Sequence, residues 1–250
     1  MANNQDNQIV DVTTLTQTDY DVGEAKVNAG GKGKSVKISN AGTKRAFYVQ
    51  FPVMLTWGSQ SSQFDEDKPP VWDMSLQFPR DDFVTEAQTA ALESLKTYET
   101  HLKALVIENS KTWLGKKTLT SDALDAIWTP MLKYPKDEEG EPDYSRAPTL
   151  RAKLPVWDGV FKSEIYNMAG EPLYTPDLSE EECKGLPSTL IPKGSMVGTI
   201  LQSGGIYIVG GRVGTTWKLF QAVVKPRPTL YGKCQFALTS EQREVLETSD

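Results

Sequence analysis

The segment from Gly204 to Arg227, with the sequence GGIYIVGGRVGTTWKLFQAVVKPR, is the strongest indication of the fold. Apolar and polar residues alternate along it, and β-branched and aromatic residues are frequent, which is typical of β-strands. Together with the residues just before it, the segment predicts strands at 196–201, 205–209 and 211–224, with turns at Gly204-Gly205 and Gly210-Gly211. Glycines within strands permit the sharp curvature of a barrel and the close approach of a ligand to the backbone.

Alternation also assigns the two faces of the last of these strands. Trp217, Leu219 and Gln221 are expected on one face, and Thr216, Lys218, Phe220 and Ala222 on the other. Lys218 and Phe220 would then place a positive charge for a phosphate beside a ring for a base. The alternative interpretation is that Trp217 and Phe220 both belong to the core.

The charges of the chain are segregated. The 58 residues from Cys183 to Ser240 contain no Asp or Glu but seven Lys or Arg, while the rest of the chain carries 20 basic and 33 acidic residues, a balance of −13. Two further segments without acids, 25–64 and 144–157, also combine basic and aromatic residues. Positive charge with interleaved rings suits a flexible polyanion of stacked bases. The alternative explanation is that strands are generally poor in Asp and Glu.

Several functional classes are disfavoured by what the chain lacks. His101 is the one histidine among 250 residues, and Cys183 and Cys234 form no CxxC pair, so neither a metal site nor a disulfide framework is expected. The phosphate-loop pattern around Lys32-Gly33-Lys34-Ser35 is incomplete. No run of 18 apolar residues is present, so no membrane-spanning helix is expected. The absence of an apolar signal sequence and of a disulfide framework predicts an intracellular protein. No enzymatic activity, catalytic residue, metal or cofactor is predicted.

The chain is expected to form a single α+β domain at 21–236, preceded by a mobile segment at 1–20 and followed by an acidic, helical tail at 237–250. Within the domain, β structure is predicted at 22–78 and 149–236, helices at 82–132 and a solvated acidic loop at 133–147. A capping box at Thr85 to Gln88 predicts the start of a first helix that runs to about Ser110, and a second helix is expected at 121–132.

The block from Trp217 to Pro226, together with the glycine-rich strand before it, resembles the C-terminal signature of a protein group of nucleocytoplasmic large DNA viruses, with members in African swine fever virus and algal viruses. The layout over residues 45–227 is also similar. The resemblance implies single-stranded DNA binding on an OB-like barrel. We therefore expect an α+β fold with an OB-like Greek-key β-barrel and an inserted or adjacent helical segment.

The predicted function is binding of single-stranded DNA without strong sequence preference, in support of viral DNA replication, repair or packaging. The predicted phosphate contacts are Arg151, Lys153, Lys162, Arg212, Lys218, Lys225 and Arg227, and the predicted stacking rings are Tyr166, Tyr207, Trp217 and Phe220. RNA binding and homo-oligomers are left open, and replication proteins are expected partners of the acidic C-terminus. The expected location is the viral factory or nucleus of the host cell, with packaging in the virion left open. The alternative is a virion structural or scaffold protein with basic interaction faces.

Overall fold

The computed structural model describes residues 8–63, 69–179, 181–225, 234 and 236–248. Its strands are β1 (Ile9–Asp11), β2 (Tyr20–Val27), β3 (Lys34–Asn40), β4 (Tyr48–Ser62), β5 (Val71–Gln77), β6 (Trp128–Thr129), β7 (Leu132–Lys133), β8 (Thr149–Leu154), β9 (Val156–Trp157), β10 (Val160–Phe161), β11 (Glu164–Tyr166), β12 (Pro172–Tyr174), β13 (Met196–Val209) and β14 (Arg212–Lys225). Its helices are α1 (Glu86–Glu108), α2 (Ser110–Trp113), α3 (Ser121–Asp125), α4 (Pro187–Leu190) and α5 (Ser240–Glu247). The protein is thus a mixed α/β structure with one large sheet and few helices.

The strand pairings close a circuit of five strands. β4 pairs with β5, β5 with β8, β8 with β14, β14 with β13, and β13 again with β4. All of these pairings are antiparallel except β8–β14, which is parallel. β3 and β2 extend the sheet beyond β13, and β11 and β12 extend it beyond β14.

β14 is held along both of its edges. β13 pairs with it antiparallel over nearly its whole length. Its other edge is shared by three short parallel strands, β6 at Val213-Gly214, β8 at Trp217-Lys218 and β11 from Gln221 to Val223. Segments that are far apart in the sequence therefore meet along one strand.

β13 and β14 form a long hairpin whose turn is the predicted Gly210-Gly211. Both glycines have positive φ, 59° and 74°, as a two-residue hairpin turn with the favoured twist requires. The predicted turn at Gly204-Gly205 was wrong, because β13 continues through it and the pairing register shifts between Ser203 and Ile206. A Cβ on Gly205 would lie 2.2 Å from the carbonyl oxygen of Val36, so this bulge requires glycine.

α1 packs its apolar side on the sheet and contributes to the core. Its buried residues include Ala91, Leu95, Tyr98, Leu102 and Val106, at the three- and four-residue spacing of one helix face. The predicted capping box is confirmed. Thr85 Oγ1 accepts a hydrogen bond from the Gln88 amide at 3.3 Å, and Gln88 Oε1 accepts one from the Thr85 amide at 3.0 Å.

Two predictions about the remaining segments need correction. Part of the segment 1–20, which was predicted to lie outside the domain, belongs to the fold, since β1 pairs in parallel with β4 and Val12 is fully buried in the core; residues 1–7 lie outside the described residues. The second predicted helix ends early, because α3 stops at Asp125. Residues that were expected to be helical instead form β6 and β7, which pair with β14 and β8.

The acidic loop at 133–147 is held by internal hydrogen bonds, whereas the acidic C-terminal helix is exposed on all sides. The loop at 133–147 contains an isolated bridge between Lys136 and Pro142, and Asp137 accepts hydrogen bonds from the amides of Glu139 and Glu141. The C-terminal residues form the predicted helix as α5, which buries none of its side chains. No helix in the described part of the chain is long and apolar enough to cross a membrane.

Trp217 is the largest fully buried side chain, and its removal tests the core. Its ring lies 5.9 Å from that of Phe51 and 5.6 Å from that of Tyr98, measured between centroids. Trp217→Ala should lower the free energy of unfolding by about 3–5 kcal/mol, since it leaves a large cavity. Trp157→Ala is the matched control, because that side chain is 66% exposed and should change stability by less than about 0.5 kcal/mol. Equal losses in urea denaturation would contradict this assignment of the core.

Candidate nucleic-acid interface

The two faces of β14 separate core residues from candidate binding residues. Trp217 and Leu219 are buried, while Lys218 and Phe220 between and beside them are half-buried on the opposite face, as predicted. Beyond Leu219 the predicted alternation fails. The register with β13 shifts by one residue between Leu219 and Gln221, which turns Gln221 outward and Ala222 into the core.

Parallel pairing with β8 brings two further basic residues beside Lys218 on the outer face of β14. Lys153 lies directly opposite Lys218 in the register, and Arg151 lies two residues before Lys153 on the same face. Burial lowers the pKa of Lys153, and the charges of Lys218 and Arg151 lower it further. Three cations thus share a small area of surface.

One carboxylate accompanies these cations. Asp73 on β5 lies opposite Lys153, and its Oδ2 accepts a hydrogen bond from Nη2 of Arg151. This hydrogen bond raises the pKa of Arg151. Among the described residues, no ion pair joins Lys153 or Lys218 to a carboxylate. The area therefore keeps an excess of positive charge.

An open cleft of about 510 Å³ lies beside this cluster. Arg151, Lys153 and Lys133 contribute positive charge to its lining, and Tyr207 contributes an aromatic ring. Tyr207 lies across Gly214, where an added Cβ would come within 2.7 Å of the tyrosine hydroxyl. Glycine at 214 thus makes room for the Tyr207 ring on the outer surface of the hairpin.

Two aromatic rings lie next to Lys218 on the other side of β14. Tyr48 of β4 and Phe220 of β14 have ring centroids 4.6 Å apart at an angle of 46°. The two rings meet across β13, which lies between β4 and β14. Gln202 of β13 pairs with Tyr48 on one side and with Lys218 on the other. A ring pair beside a charged cluster has the two features that stacked bases and phosphates require.

The other predicted residues lie away from this centre. Arg212 is near the start of β14 and donates to the carbonyl oxygen of Ala126 at 3.2 Å, and Lys225 is exposed at the opposite end of the strand. Each is six or seven residues from Lys218, which corresponds to roughly 20 Å along a strand. Lys162 is half-buried just before β11. Arg227 lies outside the described residues.

The four aromatic residues that were predicted to stack bases differ in where the structure places them. Trp217 must be corrected, because a side chain that is 1% exposed and packed between core rings presents no face for a base to stack on. Tyr166 is accessible but donates its hydroxyl to Glu164 at 2.8 Å, so a negative charge accompanies it. Tyr207 and Phe220 lie at the basic cluster described above.

Two residues that the site prediction left out belong to the same surface, since Lys133 lines the cleft and Tyr48 packs on Phe220. A third exposed residue, Trp157, lies in the β9–β10 hairpin that follows β8. Tyr48 and Trp157 are within the acid-free segments, so the charge pattern contained a signal for them. Lys133 carried no such signal, because it adjoins an acidic loop. No group of three or more His, Cys, Asp or Glu that could hold a metal ion occurs within the described ranges.

Comparison with known proteins gives structural likeness only. No protein-family model and no curated protein matches the chain. The single-stranded DNA-binding protein from bacteriophage Enc34, in complex with single-stranded DNA, is similar with a TM-score of 0.42 and 13% identity over 84% of this chain and 98% of that one. The single-stranded DNA-binding protein gp2.5 of bacteriophage T7 is similar with a TM-score of 0.40 and 11% identity, over 79% and 93%.

The proximity of the two ammonium groups can be tested by titration. Lys218→Gln should raise the pKa of Lys153 toward its ordinary value, since one of the lowering charges is removed. Because the pKa of Lys153 is lower in the folded protein than in the unfolded chain, its charge opposes folding. That opposition is fully present below the folded pKa and is lost as the pH rises from the folded pKa to the unfolded pKa. The measurement is NMR of lysine side chains labelled with ¹³C at Cε.

Lys225→Gln is the control for this titration, because Lys225 is on the same strand but roughly 20 Å away. It should leave the pKa of Lys153 unchanged. If Lys218→Gln also leaves that pKa unchanged, the two lysines do not share a face and the β8–β14 register is wrong.

Proposed function

We propose that this chain binds single-stranded DNA without strong sequence preference, on the outer face of β14, β8 and β13. The observation that carries the proposal is the direct pairing of Lys153 and Lys218 beside the Tyr48–Phe220 ring pair. Like charges opposite each other on neighbouring strands destabilise a sheet by a few tenths to about 1 kcal/mol. A bound phosphate backbone would neutralise both charges.

The chemistry of the surface favours an unpaired strand over a duplex. Rings such as Phe220 and Tyr207 can stack only on bases whose faces are free, as they are in a single strand. Every base has such a face, so stacking tolerates any sequence. The lysines provide point charges for phosphates, and the ring pair provides the platform for bases.

We propose further that the five-strand circuit is an OB-like barrel. Barrels of this kind have five strands in a Greek-key order and bind oligonucleotides on one side. β4, β5, β8, β13 and β14 would supply the five strands, with α1 inserted between the second and the third. The candidate interface would then lie on the outer side of the third, fourth and fifth strands.

The biological role follows from the resemblance of the block around Trp217 to the group of nucleocytoplasmic large DNA viruses. On that basis we propose a role in viral DNA replication, repair or packaging. The exposed acidic helix α5 is the proposed contact for replication proteins, since it buries no side chain in the domain.

Electrostatic binding predicts a defined response to salt. The logarithm of the affinity for an oligothymidylate should fall linearly with the logarithm of the salt concentration, with a slope of about −0.7 per neutralised phosphate. Lys218→Ala should reduce the magnitude of this slope by about 0.7. Lys117 is an exposed lysine outside the interface, so Lys117→Ala should leave the slope unchanged. Fluorescence anisotropy at several salt concentrations measures both slopes. Absence of binding at low salt for every oligonucleotide length would refute the proposed function.

Stacking predicts a separate loss when Phe220 is truncated. Phe220→Ala should weaken binding by about 1–3 kcal/mol per lost stacking contact. It should lower stability by the roughly 0.5–1.5 kcal/mol of an aromatic pair plus the loss of the buried part of the ring, and by less than the about 3–5 kcal/mol of a fully buried Phe. Phe83→Ala is the control, because Phe83 is 82% exposed and lies outside the interface. If Phe220→Ala only destabilises the protein and leaves affinity intact, this part of β14 does not contact DNA.

A further inference from the structure

We infer that the bound DNA continues from the first cleft, which lies beside Lys153 and Lys218, into a second cleft formed by α1 and residues 129–144. Tyr144 stacks an additional base there. This inference rests on the proposed function, since it extends the same site. It assigns a binding role to the segment that the sequence predicted to be a solvated acidic loop.

The two clefts are neighbours that share part of their lining. The second has a volume of about 600 Å³, and Thr129, Pro130 and Lys133 line both it and the first cleft of about 510 Å³. Lys133 is exposed on β7, which pairs with β8 and so connects the second cleft to the strand that carries Lys153. A strand that leaves the Lys153–Lys218 cluster along the first cleft therefore meets Lys133 next.

The second cleft has its own positive charge. Lys96 and Lys103 enter its lining from α1, and Lys133 and Lys136 enter from the segment after β6. Glu93 pairs with Lys96 at 2.8 Å, and Asp125 pairs with Lys103 at 2.9 Å. Lys133 and Lys136 form no ion pair within the described residues. Two lysines thus remain for phosphates.

The carboxylate of Glu99, which also lines the cleft, is engaged by the protein. Its Oε1 accepts hydrogen bonds from Nε1 of Trp128 at 2.8 Å and from the amide of Met131 at 2.9 Å. These bonds fix the segment after α3 against α1. They also occupy Oε1 of Glu99 with two protein donors, which holds this carboxylate at the wall of the cleft.

Two tyrosines provide the stacking surface. The rings of Tyr134 and Tyr144 lie 4.8 Å apart at an angle of 59°. Tyr134 is half-buried, and Tyr144 packs on it while remaining 75% exposed. Tyr144 is therefore held at the cleft with most of its surface accessible to a base.

The acidic tip of the loop limits the path. Glu138, Glu139 and Glu141 are exposed beyond the Lys136–Pro142 bridge. Phosphates would be repelled there. The path should thus end at Tyr144, which makes the contribution of this residue dependent on the length of the bound strand.

Length dependence is the test of this inference. Labelled oligothymidylates of about 5 and about 15 nucleotides fall within the roughly 4–16 nucleotides that one OB-type site covers. Tyr144→Ala should weaken binding of the longer oligonucleotide roughly 5- to 150-fold, the effect of one lost stacking contact, and leave the shorter one unchanged. Tyr144→Phe should retain binding of both, since the ring remains.

The outcomes separate this inference from the proposed function. If the unmodified protein binds neither oligonucleotide, the proposed function fails. If it binds both and Tyr144→Ala has no effect on either, the path does not enter the second cleft and the inference is wrong. Equal weakening of both lengths would place Tyr144 in the primary site, which also overturns the inference. The melting temperature of Tyr144→Ala should equal that of the unmodified protein, because Tyr144 is largely exposed.

Discussion

The parallel pairing of β8 with β14 is the constraint on which the rest of the structure depends. A single register, in which Trp217 lies opposite Ala152 and Lys218 opposite Lys153, determines two things at once. It places Trp217 and Ala152 in the core, and it brings two lysines together on the outside. Since side chains alternate between faces, a slip of one residue would move the tryptophan to the surface and a lysine into the core. Burial of Trp217 therefore also fixes the geometry of the basic cluster.

The same pairing explains how a helical insertion joins the candidate interface. The chain leaves β5, forms α1, α2 and α3, and returns through β6 and β7 before it enters β8. β6 and β7 add to β14 and β8, so the insertion is anchored at the strand pair that closes the circuit. A segment of overall acidic composition thereby contributes lysines and tyrosines to a surface whose centre is formed by the C-terminal strands.

The features that follow from local pattern could be predicted from the sequence. Alternation was sufficient to place Trp217 on the face opposite Lys218 and Phe220, although it did not prevent Trp217 from being predicted as a stacking ring, and the glycine pair at 210–211 was sufficient for the hairpin turn. The capping box at Thr85 depends only on residues within one turn of helix. Each of these properties is set by neighbours in sequence.

The features that depend on register between distant segments could not be predicted. The contacts between Lys153 and Lys218 and between Tyr48 and Phe220 join strands that are 65 or more residues apart. Gly204-Gly205 has the composition of a turn and yet lies in a bulge, because the close approach of Val36 requires the absence of a Cβ. β6 and β7 contain two residues each and have no periodic pattern at all.

The most direct test of the central claim is photochemical crosslinking of the full chain to single-stranded DNA that contains 5-iododeoxyuridine, with mass spectrometry to locate the linked residues. We expect crosslinks at aromatic residues of the outer face, at Phe220, Tyr48 and Tyr207. These crosslinks should disappear at high salt, when the electrostatic contribution is screened. Crosslinks confined to residues far from this face, such as Phe83, would contradict the account.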